Sequence, residues 1–414
     1  MTTLLSPAPK SERRVRQPKH KFQLLTTPYV LHPFMIAPVL PAESLTNLYM
    51  ETRAVSYPVK NRYIGWKKEY YFYYVKISDL LIEAMRNMFI DPENNDIAAT
   101  YGNAAQLTQF YSAKGAVPYC KLAYEAIVKH YFRDEGDAGV VGANGLAVAH
   151  YKDVGFLDSL TDKDDMPLGA DIDDAATVAD VERLLMLYEQ LRAMNIANMT
   201  FEDWLRSQGI AIPGKDEDRP ELLAYFSDFQ YPSNTINPET GAASSALSWV
   251  FKNGNKSRSF MKEPGFVIGI TVCRPKLYLG ALAGSACEFM SRAWDWMPNY
   301  LRANPETSLK KFAAGTGPLG DRTVDTDDYW LDMNDILIHG DQFHNLRDFQ
   351  AAPTSDGTIN FAALPTQTLN IRYPSASDIN GLFTGTVGVV EDGYASLAIL
   401  GHQVDTTVGN LAAL

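Results

Sequence analysis

Six cations fall within twelve residues near the start of the chain: Lys10, Arg13, Arg14, Arg16, Lys19 and Lys21, with Glu12 as the one acid among them. Such a run can neutralise several phosphates of a polynucleotide, with an affinity that falls steeply as salt rises. Residues 1–21 carry a net charge of +5 on a chain of −12, which leaves −17 for the rest. An acidic body repels nucleic acid, so contact with it is expected at this arm or at a local patch. Phe22 and Tyr29 stand near the arm's end, where a ring can stack on a base, although core packing is the expected role.

Other residue patterns fall short of a chemistry. Gly315, Gly317 and Gly320 spell a dinucleotide-type glycine motif, but no strand precedes them and no helix follows. His339 and His344 flank Asp341 without a helix to align them on a metal, and read as a polar turn. The acidic stretches 162–165 and 171–174 lack the central glycine of a calcium loop and read as solvated surface. The signatures of P-loop, zinc-protease and serine-hydrolase sites are missing from the sequence. The residues thus assign no catalytic group, no metal site and no cofactor, and the chain reads as no enzyme.

The elements that would position the cations are mostly strands. Residues 69–77 (EYYFYYVKI) are nearly all aromatic or branched and predict a strand buried on both faces. Residues 266–273 (FVIGITVC) and 368–373 (TLNIRY) predict two more, with weaker strands at 329–338 and 395–404. Prolines at 28, 33, 38 and 41 confine the apolar segment 22–40 to edge strands or extended chain. A helix is expected over 178–194 from its 3.6-residue apolar spacing, a second after Thr200, and a helical turn or two over 120–132. Residues 1–21, with three prolines and no apolar periodicity, are expected to be a flexible arm. Residues 22–414 then form one β-domain, with a loop- and helix-rich insertion at roughly 80–262.

Composition limits the classes. At 46% apolar and 21% charged, the 414 residues are those of an ordinary folded protein. Cys120, Cys273 and Cys287 form no close pair, which suits a reducing compartment. No apolar run reaches the ~20 residues that span a bilayer, and the basic start has no signal-type apolar stretch behind it. Neither membrane insertion nor export is expected.

Four segments carry a family resemblance. His32-Pro-Phe-Met-Ile-Ala-Pro-Val-Leu-Pro41 and Ile64-Gly-Trp-Lys-Lys-Glu-Tyr-Tyr-Phe-Tyr-Tyr-Val-Lys76 resemble the N-terminal part of microvirus major capsid proteins. Thr200-Phe-Glu-Asp-Trp-Leu-Arg-Ser-Gln-Gly-Ile210 with Arg219-Pro-Glu221, and Gly265-Phe-Val-Ile-Gly-Ile-Thr-Val-Cys-Arg-Pro275, are similar to later parts of that family in the same order. The resemblance implies a single eight-stranded jelly roll with long inserted loops containing short helices. Sixty copies would form a T=1 icosahedral shell around circular single-stranded DNA. It also implies a virion protein assembled in the host bacterial cytoplasm. Its partners would be further copies of itself, the genome, minor capsid or pilot proteins and a host surface receptor.

In that setting the cations from Lys10 to Lys21 face the DNA. Sixty arms supply about 300 positive charges, roughly a tenth of what a genome of a few thousand nucleotides carries. A small basic packaging protein, polyamines or metal ions would supply the rest. Pro33, Phe34, Tyr71 and Tyr73 are expected at or just beneath contacts between subunits. A soluble carbohydrate-binding jelly roll, using Trp294 and Trp296, is the alternative.

Overall fold

A computed structural model describes residues 13–61, 64–77, 80, 119–133, 141–142, 145–150, 160–162, 219–236, 241, 243–256, 258–275, 296, 309–313, 328–332 and 373–402. These residues are mainly β, in antiparallel sheets with few helices. Of the strand expected at 368–373 only Tyr373 is among them, buried and outside any strand, and the helices expected at 178–194 and after Thr200 lie outside them. So do the glycine motif at 315–320, His339 and His344.

The first sheet is built on two long neighbours, β4 (Glu43–Ser56) and β15 (Val389–His402). Along the open side of β15 run β1 (Arg13–Arg16) and then β2 (Lys19–Thr26), interrupted at Pro18. Along the open side of β4 run β10 (Ser248–Asn255) and β11 (Ser259–Met261). The second sheet has the order β3 (His32–Val39), β12 (Gly265–Pro275), β5 (Trp66–Lys76), β7 (Glu221–Gln230). Its edge strand β3 holds Pro33 and Pro38, as the missing N–H of proline requires.

Two sequence expectations change here. From Arg13 on, the basic segment is no free arm: it forms the edge of the first sheet, and its alternation turns Phe22 and Thr26 inward. The stretch 80–262 is no single insertion, because β7, β10 and β11 lie in it and belong to the two sheets. The two long connections are instead 77–220 and 276–388. They meet in a third sheet, where β6 (Leu160–Asp162) pairs with β14 (Asp328–Asp332), itself paired with β13 (Leu309–Ala313). A small hairpin of β8 (Ser233–Ile236) and β9 (Ala243–Ala246) completes the ladders described.

The two main sheets pack face to face through aromatic rings. Phe34 of β3 sits 4.8 Å from Phe22 and edge-on to Tyr70 and Phe72, while Tyr70 meets Phe251 of β10 at 4.7 Å. Gly269 leaves the room for this: a Cβ there would lie 2.4 Å from the Phe34 ring. Between the layers the ammonium of Lys68 is paired with Glu391, both with fully buried side chains. Thr26 Oγ1 (2.8 Å) and Tyr70 OH (2.9 Å) donate to the same carboxylate. A charge pair removed from water in this way holds only while every lone pair is met.

The outer side of the second sheet is covered. Helix α1 (Tyr119–Tyr131) lies over it, with Tyr131 against Tyr73 and Tyr119 against Phe266, while Phe132, just beyond the helix, packs on Tyr71. The aromatic strand β5 is therefore buried on both faces, as its composition predicts. A short helix α2 (Ala376–Gly381) precedes β15. No helix among the described residues is long and apolar enough to cross a membrane.

Candidate nucleic-acid interface

The six cations of the N-terminal segment have separate fates. Lys10 lies outside the described residues. Arg13 and Arg14 occupy β1, opposite His402 and Gly401 of β15. Arg16 is a structural residue: its Nε (3.1 Å) and Nη2 (2.5 Å) donate to the buried carboxylate of Glu43, and Nη2 also reaches Pro38 O at 2.8 Å. Glu43 accepts in addition from Leu40 N–H at 2.8 Å, so this pair ties the sheet edge to the β3–β4 turn. Lys19 and Lys21 point outward from β2 and are exposed.

The side to which they point is a sheet face over which no described element packs. In register across four strands stand Lys21, Tyr394, Glu51 and Lys252. Beside that row run Gln23, Asp392, Arg53 and Val250, and on the other side Lys19, Ser396, Tyr49 and Gly254. The Tyr49 and Tyr394 rings stand 6.2 Å apart, and Lys19 Nζ lies 5.0 Å over Tyr394. Both phenols donate to Glu51 Oε2, at 3.3 and 3.2 Å, while Lys252 holds Oε1 at 3.2 Å. The hydrogen bonds from Lys252 and Tyr394 hold the Glu51 carboxyl below its usual range.

Arg53, Lys252, Tyr49 and Tyr394 are absent from the sequence-based set. A signal for them existed in part: residues 252–262 hold Lys252, Lys256, Arg258 and Lys262 with no acid. The strands of the first sheet together with 256–258 and 262 contain ten Lys and Arg against four Asp and Glu. Two of those four acids, Glu43 and Glu391, are buried against Arg16 and Lys68. The connection 77–220 holds 12 cations against 25 acids, and 276–388 holds 8 against 13. The acidity of the chain is therefore carried by its two long connections, and the first sheet is basic.

The expected subunit-contact residues sit inside the protomer. Phe34 is 4% exposed between the sheets, and Pro33 is buried opposite Ile270. Tyr71 and Tyr73 are buried beneath α1 and Phe132. The rings of Tyr71 and Tyr73, on the outer face of the second sheet, are met there by Tyr131 and Phe132 of the same chain.

Beside Tyr71 lies a second charged cluster. Arg274 Nε donates to Glu69 Oε2 at 2.8 Å, and Nη2 is bonded to the same oxygen. Tyr71 (3.1 Å) and Tyr225 (2.5 Å) donate to Oε1, which Lys67 approaches at 3.5 Å. Burial alone would raise the Glu69 pKa, but Arg274, Tyr225 and Lys67 outweigh it and the carboxyl titrates below its ordinary range.

Burial pushes the thiols of Cys120 and Cys273 up to about 12, and His32, accepting from Thr27 N–H at 3.0 Å, is pushed down to about 3 by burial and Lys68. Among the described residues no three His, Cys, Asp or Glu side chains gather as a metal site. The arrangement can hold an anion and stack a planar group on the open face. No protein-family model matches the chain, and no curated protein matches it.

Proposed function

We propose that this chain is the major capsid protein of a small single-stranded DNA phage of the microvirus type, an eight-stranded jelly roll that closes into a T=1 shell around its genome. The observation that carries the reading is the order of the strands. Taking β1 with β2, and β10 with β11, as one interrupted strand each gives eight strand lines. In chain order they fall as first, eighth, third, sixth in one sheet and second, seventh, fourth, fifth in the other. That interleaving supports a double Greek key of the jelly-roll kind, an architecture of viral capsid, lectin and cupin domains. Fold alone does not decide among them.

Charge favours the capsid among these. A shell protein must face polyanion on one side only, and here a basic sheet is joined to two long acidic connections. Subunit contacts fall to exposed side chains and to the connections, because Pro33, Phe34, Tyr71 and Tyr73 are buried in the protomer. The chain works without catalysis, in the virion, with the genome and minor capsid proteins as partners. The test is sedimentation of the purified chain with and without DNase. The proposal expects a megadalton particle that protects single-stranded DNA. A monomer or small oligomer that binds glycans supports the lectin reading instead.

A further inference from the structure

Among the described residues nothing covers this face of the first sheet, and it carries more than a solvated surface needs. A free sheet face is normally a mixture of small polar groups and balanced charges. This one presents Lys19, Lys21, Arg53 and Lys252 around two tyrosines, with Glu51 and Asp392 as its outward acids. Glu51 is occupied, because it fixes both phenols and Lys252. The two rings are thus anchored by their hydroxyls 6.2 Å apart at 44°. Lysines lie on both sides of them at opposite edges of the sheet, Lys19 and Lys21 on β2 and Lys252 on β10. A cation already rests over Tyr394, on a long exposed stem that can turn to another anion.

We propose that this face binds single-stranded nucleic acid, with bases stacked on Tyr49 and Tyr394 and phosphates held by Lys19, Lys21, Arg53 and Lys252. Stacking on fixed aromatic rings combined with flanking cations is how unpaired strands are held without sequence preference. A duplex offers no free base faces, and a neutral sugar would need the rings but not the four cations. The inference rests on the capsid reading for the source of the strand, which is then the enclosed genome. It moves the contact from a flexible arm to the sheet that the arm's own residues complete.

The experiment uses the full chain and a fluorescein-labelled oligothymidylate, followed by anisotropy over a salt series and by ultraviolet cross-linking with peptide mapping. Three variants are compared: Tyr49→Thr/Tyr394→Thr, Lys21→Gln/Lys252→Gln, and Gln23→Thr as a control on the same face. The tyrosine pair is expected to weaken binding about tenfold or more, the lysine pair to reduce the salt slope by about 1.4, and the control to change neither. Cooperative melting near the wild-type temperature shows that each variant is folded. Cross-links should map to peptides holding Tyr49 and Tyr394. Binding unchanged in both double variants, or cross-links confined to other peptides, overturns the assignment, as does loss of neutral glycan binding in a chain that ignores the oligonucleotide.

Electron microscopy of the same preparations separates the two readings. Closed particles whose DNA cross-links elsewhere overturn the face and leave the capsid standing. Oligonucleotide on the tyrosines of a chain that never closes a shell leaves the face standing and removes the capsid.

Discussion

Two carboxylates on opposite outer sides of the sandwich have nearly the same partners. Glu69 on the second sheet holds an arginine, a lysine and the phenols of Tyr71 and Tyr225; Glu51 on the first holds a lysine and the phenols of Tyr49 and Tyr394. What differs is the cover. The Glu69 side chain is 1% exposed under neighbouring aromatics, whereas that of Glu51 is 37% exposed on a sheet face that no described element covers. The same donor set is therefore internal scaffolding on one side and a presentable surface on the other. Burial multiplies the cost of leaving a charge unmet, and exposure lets water meet it.

The largest expected effect follows from that contrast. Arg274→Met should destabilise the fold by about 3–5 kcal/mol, since it strands Glu69 in a dry site; Lys252→Met should cost under about 1 kcal/mol and less still in high salt. Denaturant melts of both variants check this, and similar losses in the two would break the comparison.

Acid sharpens it further. The folded pKa of His32 lies below its unfolded value of 6.5, at about 3. Its contribution is therefore complete above pH 6.5 and is lost as the pH falls toward 3, because only the unfolded chain takes up the proton. At pH 5 the loss is about 2 kcal/mol. Glu69, also depressed, adds its loss only below its ordinary value of 4.5. His32→Asn should flatten the upper part of the stability–pH curve and spare the lower. A curve as steep in the variant as in the native chain would contradict the burial of His32.

A smaller effect is expected at the sheet edge. Arg16→Gln should cost about 1–2 kcal/mol, less than the buried pair because Arg16 is partly exposed. It should leave the salt slope of oligonucleotide binding nearly unchanged, because its guanidinium lies on the inner side of the sheet, against buried Glu43 and Pro38 O, away from the open face. A loss of about 0.7 from the slope would return Arg16 to the phosphate-binding set.

The smallest change is a gain. Ala42 holds φ of 64° after Pro41, in a turn closed from Glu43 N–H to Leu40 O, a position that suits glycine. Ala42→Gly should stabilise by about 1 kcal/mol in a thermal melt.

What was legible in the sequence follows the same contrast. β5, β12 and α1 were readable because both sides of a buried strand, or one side of a covering helix, must be apolar, and a short window shows it. β3 was readable as an edge from its prolines. β4 was not: half its residues face water, so its string of Ser, Thr, Asn and Glu resembles a loop until β15 supplies its register from some 340 residues away. β2 was hidden by its own lysines, whose alternation with Phe22 and Thr26 marks a half-exposed strand but whose charge suggests a tail. Tyr49 and Tyr394 meet only through that long-range register, so no local motif announces the open face.

The most direct measurement is an electron cryomicroscopy reconstruction of the assembled material. The expected result is a closed shell of sixty copies whose inner surface is lined by β2, β15, β4 and β10, with density for nucleic acid against Tyr49 and Tyr394. A chain that forms no closed particle, or a shell that turns this face outward, would contradict it.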